Sequence, residues 1–273
     1  MITFVPTPIG NPQDITFRAM RTFEKANLFL CEDTRQTKKL LRLLEERFGM
    51  RYPDAIFYSF NEHNGQERLD SLGDTFAKHE VVYVSDAGMP VISDPGQLLV
   101  AYAQVHGLKY DVLPGASAVT TAYAASGFEE EKFLFYAFLP HNGKERRSAL
   151  VEAMQSGYHS VLYESPHRLQ KLLEEIVQID ENRELFLAKE LSKKYQKYYR
   201  GTAKELNIIF KNISIRGEWV VIMKAKEEEQ EKSLRFSEIL HLDIPPKMKA
   251  KLLSMLSDKS VKEWYIELIQ NEK

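Results

Sequence analysis

Cysteine is almost missing from this chain: Cys31 stands alone in 273 residues. A single thiol excludes internal disulfides and cysteine-built zinc clusters, and it suits a reducing compartment. Long hydrophobic runs are missing too, since none approaches the ~18 residues that cross a bilayer. The start, Met1-Ile2-Thr3-Phe4-Val5, turns at Pro6 without a basic leader region, so a cytoplasmic, soluble protein without a membrane partner is expected. A large charge of either sign is lacking: the formal net charge is −2, and any nucleic-acid partner must be held by a local patch. Two phosphate-binding signatures are absent. No G-x-x-x-x-G-K-[ST] occurs, and no G-x-G-x-x-G follows the first strand, which argues against a P-loop NTPase, a standard dinucleotide site or a class I methyltransferase site.

What is present is an ordinary globular composition, 44% hydrophobic and 28% charged, at a length that favours two domains with an appendage. Short apolar runs alternate with amphipathic segments through the first 225 residues or so. "ITFV" is followed by a helix with Asp14 as N-cap and Ile15, Ala19 and Phe23 on one face. "NLFLC" leads through "EDTRQT" to a helix over 37–48 with Leu40, Leu41, Leu44 and Phe48 inward and Gly49 as its stop. "VVYV" precedes a Gly- and Pro-rich stretch, then a helix over 97–106, then "YDVL" and "PGAS". The alternation predicts an α/β fold with a mainly parallel sheet.

A second cycle follows. It comprises a helix over 117–126, strand "FLFYAF", strand "SVLY", "ESPHRL" with Ser165 capping a helix that begins at Pro166, strand "ELFLA", a basic loop "KELSKKYQKYYRG", a helix over 203–211 and strand "EWVVIM". The acidic run at 226–232 is expected to be a solvated linker, and beyond it only helical periodicity remains, with Leu252, Leu253, Leu256, Trp264, Leu268 and Ile269 as core positions. The expected organisation is an α/β domain over 1–115, a second over 116–228 and a small helical domain over 235–273.

Four irregular loops follow strands: "PTPIGN" (6–11), "EDTRQT" (32–37), "SDAGMPVISDPG" (85–96) and "PGAS" (114–117). In a parallel sheet they open on one edge, where such folds bind ligands. They carry Glu32, Asp33, Asp86 and Asp94 but few cations beyond Arg35, which suits a ligand with hydroxyls, an adenine and a positive centre better than one rich in phosphate.

The motifs "PTPIGNPQDITFRA", "CEDTRQTKKLL", "SDAGMPVISDPGQLLVAYAQVHG", "LPGASAV", "FLP", "YESPHRL" and "GEWVVIM" resemble, in order, those of the tetrapyrrole methylase superfamily, the class III methyltransferases. Within it they are most similar to the branch that methylates small-subunit ribosomal RNA. The resemblance spans about residues 3–225. It implies two α/β domains with S-adenosylmethionine held in the cleft between them, transfer to the ribose 2'-hydroxyl of a decoding-centre cytidine of 16S rRNA, no metal, and a homodimer. It implies cofactor contacts at Pro8, Ile9, Gly10, Asp86, Gly88, Met89, Ser117, Ala118 and Tyr163, with Glu164 beside the last. Met89, Ala116, Ala137 and Gln196 stand where Thr, Pro, Gly and Glu are usual, and Gln196 removes any catalytic use of that acid.

A ribose hydroxyl is a poor nucleophile, so a base or a cation at the forming alkoxide assists. The residues that could supply one are Glu32, Asp33, His63, Asp86, Glu164 and His167. The "EDTR" loop has two readings: an acceptor-side group in which Glu32 and Asp33 are oriented by Arg35, or a capping cluster for the helix that follows. His63, Asn64, His167 and Arg168 are further RNA-contact candidates, against the plainer reading of each histidine as a satisfied surface or core residue. Lys189, Lys193, Lys194, Lys197 and Arg200 interleave with Tyr195, Tyr198 and Tyr199, a mixture that suits phosphate contact and base stacking, or equally a solvated face with tyrosines packed beneath. "KERR" (144–147) and "KMKAK" (247–251) are smaller basic patches. The same fold acting on a tetrapyrrole or diphthamide precursor, and a non-catalytic RNA-binding assembly factor, are the alternatives.

Overall fold

The computed structural model describes residues 1–129, 131–226, 236–257 and 259–271; all of the expected linker except Lys226 lies outside them. By its contacts the chain divides into two units, 1–226 and 227–273. The first unit holds both sheets.

The first half of that unit runs β1 (Ile2–Phe4), α1 (Phe17–Lys25), β2 (Leu28–Cys31), α2 (Thr34–Phe48), β3 (Ile56–Ser59), α3 (Gly65–Phe76), β4 (Val81–Val84), α4 (Gly96–Val105) and β5 (Tyr110–Val112). Its five strands are all parallel, in the order β3-β2-β4-β1-β5. The central strands β1, β2 and β4 are buried at every residue, because helices cover both faces. Phe23, Phe29, Leu41 and Leu44 pack on one face; Phe4, Leu30, Phe60, Tyr83 and Leu99 pack on the other.

Several local expectations change. Asp14 is not the cap of α1: it closes a short 3-10 turn, Pro12–Asp14, and the Thr16 hydroxyl accepts the Ala19 amide instead. The second helix starts at Thr34 rather than 37, with Asp33 as its cap, and Phe48 turns outward while Leu41 and Leu44 are buried. The pair β3 and α3 has weak sequence signals, an edge strand with Ile56 exposed and a helix with glycines at both Gly65 and Gly73, and the sequence reading passes over both. Gly73 has a packing reason: a β-carbon there would collide with the Tyr102 hydroxyl.

The second half runs α5 (Ala118–Ser126), β6 (Phe133–Phe138), α6 (Gly143–Gln155), β7 (His159–Glu164), α7 (Leu169–Ile179), β8 (Glu184–Lys189), β9 (Lys197–Thr202), α8 (Ala203–Lys211) and β10 (Trp219–Met223). The sheet order is β6-β7-β10-β8-β9, and only β6 and β7 are parallel. A mainly parallel sheet therefore holds for the first half alone. The basic segment read as a loop contributes β9, an antiparallel edge strand in which Tyr199 packs inward on Phe210 and Trp219. The helix expected from Pro166 begins at Leu169, because residues 166–168 form a turn closed by the Arg168 and Leu169 amides on the Ser165 carbonyl.

The second unit holds α9 (Phe236–His241), α10 (Pro246–Met255) and α11 (Val261–Asn271). Ile239, Ala250, Leu253 and Trp264 form its core, with Leu252 and Leu268 against it. Leu256 and Ile269, expected inside, are exposed. Among the described residues no helix is long and apolar enough to cross a membrane.

The two halves of the first unit meet at Gly10, where a β-carbon would stand 2.8 Å from the Leu191 carbonyl oxygen, and at Asp14, which accepts the Ser192 hydroxyl. Overpacking such a contact costs about 1–3 kcal/mol. Gly10→Ala is expected to lower the unfolding free energy from urea titration by about that much, and an unchanged value would show that this contact does not hold the halves together.

Candidate active site

The four loops meet as expected of one sheet edge. Thr7 and Gly88 exchange both backbone hydrogen bonds at 3.0 Å, which knits the loop after β1 to the loop after β4. Gly88 has φ +83°, and a β-carbon there would press on Ile9 at 3.2 Å. Gly115 lies so close to Pro6 that a β-carbon would come within 2.6 Å of its ring. The loop after β2 joins by a reciprocal exchange: the Asp86 amide donates to Glu32 Oε2 at 3.1 Å, and the Asp33 amide donates to Asp86 Oδ1 at 3.1 Å.

The 85–96 loop is held in an unusual course, with Val91 at φ +73° and Ser93 at φ +71°. Left-handed backbone costs a branched or substituted residue about 1–2 kcal/mol. Asp94 offsets this, since its Oδ1 accepts both the Tyr83 hydroxyl and the Gly96 amide at 2.8 Å.

Between these loops and the second sheet lies a cleft of about 430 Å³, a size suited to a small-molecule cofactor. Of the residues singled out in the sequence, Ile9, Glu32, Asp86, Gly88, Met89, Ser117, Ala118, Tyr163 and Glu164 line it. Pro8 and Gly10 do not; Gly10 faces the 191–193 loop. The inner wall is apolar and buried, formed by Ile9, Ala188, Leu191 and Val220. The mouth is acidic, with Glu32, Asp86 and Asp94. Burial raises all three carboxyls above their ordinary values; for Glu32 the charges of Asp86, Asp94 and Glu62 add to the rise, while the Asp86 amide opposes it. Asp33 differs, because hydrogen bonds from the Arg35 side chain and amide lower it to about 2. It caps α2 and is gripped at both oxygens by Arg35, which is otherwise in solvent. The Tyr163 hydroxyl is pushed by burial up to about 12, a hydrogen bond with the Val119 backbone opposing the rise. The Cys31 thiol, also raised to about 12 by burial, is no nucleophile.

The second wall stands on a buried ion network. Glu164 Oε1 accepts the Ser165 amide at 2.8 Å and Arg168 Nε at 2.7 Å, and its Oε2 lies 3.3 Å from a terminal guanidinium nitrogen of Arg146. Arg146, only 1% exposed, also binds Glu175 at 2.8 Å and the Pro140 carbonyl at 3.3 Å, and Arg168 reaches the Leu139 carbonyl. Arg146 was placed in a surface patch by its "KERR" context; helix α6 turns it wholly inward. Glu164 thus accepts from two guanidiniums and one backbone amide, and is held as the centre of this network.

The RNA-contact candidates scatter. His63 and His167 are exposed. Asn64 is spent on the Asn61 amide and the Ser59 hydroxyl. Lys193 pairs with Glu190 and Glu218 beside the cleft, and Arg200 pairs with Glu184 and the Ser126 carbonyl. Lys194 and Lys197 stand exposed over Tyr195 and Tyr199. Ser85, Ile92, Phe138, Ser165 and Ala188 line the cleft without having been singled out. Ser85, Ile92 and Ser165 lie in loops after strand ends, Ser165 having been read only as a helix cap, whereas Phe138 and Ala188 lie within β6 and β8.

Two α/β halves with a ligand-sized cleft at their strand-end loops form the architecture of a small-molecule-binding enzyme. Residues 1–207 match the family described as Tetrapyrrole (Corrin/Porphyrin) Methylases, and the chain belongs to it. It is similar over its whole length to curated proteins named ribosomal RNA small subunit methyltransferase I. The Helicobacter pylori J99 protein is 42% identical, covering 100% of this chain and 99% of that one. The Campylobacter fetus protein is 40% identical, covering 98% and 100%. Among solved structures, diphthine synthase superposes with a TM-score of 0.61 at 15% identity, over 94% of this chain and 96% of that chain. Uroporphyrin-III C-methyl transferase from Thermus thermophilus, complexed with S-adenyl homocysteine, superposes with a TM-score of 0.54 at 15% identity, over 81% of this chain and 96% of that one. At such identity these two share the fold and no more.

Removing one member of a buried ion pair strands the other, at about 3–5 kcal/mol. Arg146→Ala is expected to cost that much in urea unfolding, whereas Arg35→Ala, in solvent, changes the midpoint little.

Proposed function

We propose that this protein transfers a methyl group from S-adenosylmethionine to the ribose 2'-hydroxyl of a decoding-centre cytidine in 16S rRNA within the small ribosomal subunit. Relatives at 40–42% identity across the full chain carry the name of a small-subunit rRNA methyltransferase, which favours RNA over a tetrapyrrole or a diphthamide precursor, the alternatives that fold neighbours named uroporphyrin-III C-methyl transferase and diphthine synthase suggest. The observation that carries the chemistry is the interlock of Glu32 and Asp86, which fixes an ionisable carboxylate at the mouth of a buried apolar cleft.

S-adenosylmethionine supplies an electrophilic methyl group on a sulfonium centre. The residues present fit it: the apolar wall of Ile9, Ala188, Leu191 and Val220 takes an adenosine, and the acidic mouth complements a positive charge. Pro8 and Gly10 shape the first loop from behind, whereas Gly88, Met89, Ser117 and Ala118 face the cleft. Glu32 accepts the proton of the attacking hydroxyl, and Asp86 holds the two loops in register. Asp33 and Arg35 serve as one unit in which Asp33 begins α2 and Arg35, held at its edge, meets an RNA phosphate. Lys194 and Lys197, with His63 and His167, supply exposed contacts for the RNA backbone; Lys193, Arg168 and Arg200 act through the ion pairs that shape their loops. The family resemblance extends the reading to a homodimer, which light scattering of the purified protein measures.

Mass spectrometry of 16S rRNA from a deletion strain, complemented by each variant, tests the assignment. The wild-type gene restores the ribose methyl; Glu32→Gln lowers the transfer rate by roughly 10²- to 10⁴-fold, the usual range for a lost acid or base; Asp86→Asn also impairs it. A protein that binds no S-adenosylmethionine in calorimetry overturns the enzyme reading and leaves an assembly factor, whereas an Asp86→Asn variant with a full methyl mark removes Asp86 from the machinery.

The pH dependence has a definite sign. Only ionised Glu32 accepts a proton, so the rate falls as pH drops through its folded-state pKa, and burial places that limb above the ordinary glutamate value. A pH–rate profile is expected to show this limb in the wild type and not in Glu32→Gln.

A further inference from the structure

Strand β6 carries a defect with a consequence for the cleft. Its pairing with β7 runs in register from Phe133 to Phe135, then shifts, so that Ala137 rather than Tyr136 stands opposite Leu162, and Phe138 stands opposite Tyr163. Ala137 takes φ +52°, a left-handed backbone that favours glycine. One extra residue in a strand flips every later side chain to the other face. Phe133 and Phe135 pack on the cleft side of the sheet, and Tyr136 packs on the opposite core. Unshifted alternation would send Phe138 the way of Tyr136. The bulge instead turns it toward the cleft, where it lines the mouth 5.5 Å from the Tyr163 ring, itself backed by Phe135 at 4.9 Å.

Phe138 is nevertheless 54% exposed. An aromatic ring kept half in solvent by a strained backbone at the edge of a ligand cleft calls for a flat partner. The apolar surface available to a buried cofactor is the inner wall of Ile9, Ala188, Leu191 and Val220, so the rim is left to the second substrate. His141, Lys144 and His167 stand exposed on the adjoining loop, helix start and turn, interleaved with the exposed Glu145, and Arg146 and Arg168 bind the Pro140 and Leu139 carbonyls that anchor this corner.

On the basis of the rRNA reading above, we infer that Phe138 is the stacking platform for the target nucleobase, placed by the Ala137 bulge so that the attached ribose enters the cleft. Sequence-specific RNA recognition splays bases onto aromatic faces in this way, and each stack is worth about 1–3 kcal/mol, or roughly 5- to 150-fold in affinity.

The test compares Phe138→Leu and Phe138→Tyr with wild type, using small-subunit particles as substrate and, in parallel, a decoding-region RNA with a fluorescent cytidine analogue at the target position. Phe138→Leu is expected to raise KM for the particles by roughly 5- to 150-fold, to abolish the fluorescence change on binding, and to leave the Kd for S-adenosylmethionine and the urea midpoint near wild type. Phe138→Tyr, which keeps the ring, restores both signals. If Phe138→Leu matches wild type in KM and fluorescence, or weakens the cofactor instead of the RNA, the stacking role is wrong while the rRNA reading stands. If wild type itself leaves the particles unmethylated, both fall.

Discussion

The site depends on one interlock of backbone and carboxylate. Glu32 takes the Asp86 amide and Asp86 takes the Asp33 amide, so two loops from neighbouring strands are each the other's hydrogen-bond partner. The Thr7–Gly88 bridge adds the loop from β1 to the same corner. Without these bonds the four loops would share an edge but no fixed geometry, and a methyl transfer that relies on alignment needs fixed geometry. The cost is visible in the raised carboxyls. Burial raises Glu32, Asp86 and Asp94, and a folded-state pKa above the unfolded value means that their ionisation works against folding as pH rises through that range. Such an acidic cluster has a use where a cationic ligand completes it.

The second wall solves the opposite problem. There the charges are paired: Glu164 accepts from Arg146, Arg168 and the Ser165 amide, and the two guanidiniums reach on to the carbonyls of the neighbouring loop. A carboxylate held by two guanidiniums is a strut, whereas Glu32 and Asp86 are held by backbone amides. Both kinds line the same cleft, and only their hydrogen-bond partners distinguish them.

Much of the site was legible because the ligand-facing loops carry glycine and proline at strand ends, where a buried apolar run stops. Gly88 at positive φ, Gly115 against Pro6 and the Asp33 cap all follow from residue types with few alternatives. The reading failed where local signals are weak or context overrides them. β3 and α3 have diluted periodicity, β9 hides in a run of lysines and tyrosines, and Arg146 looks like surface charge until helix α6 turns it inward. Ala137 was marked as atypical in the sequence, but that it bends β6 and turns Phe138 onto the cleft face is a matter of strand register.

By itself the sequence determined the alternation of strands and helices, the loops at their ends and the acidic character of those loops, because periodicity, glycine and proline act over a few residues. Tertiary structure alone decided the antiparallel pairing of the second sheet, the buried ion network, and which carboxylate is held by guanidiniums and which by backbone amides. Those depend on partners far apart in the chain, Asp86 on Glu32 and Asp33, Arg146 on Glu164 and Glu175, and a hydrogen bond between such residues exists only once the fold has brought them within about 3 Å.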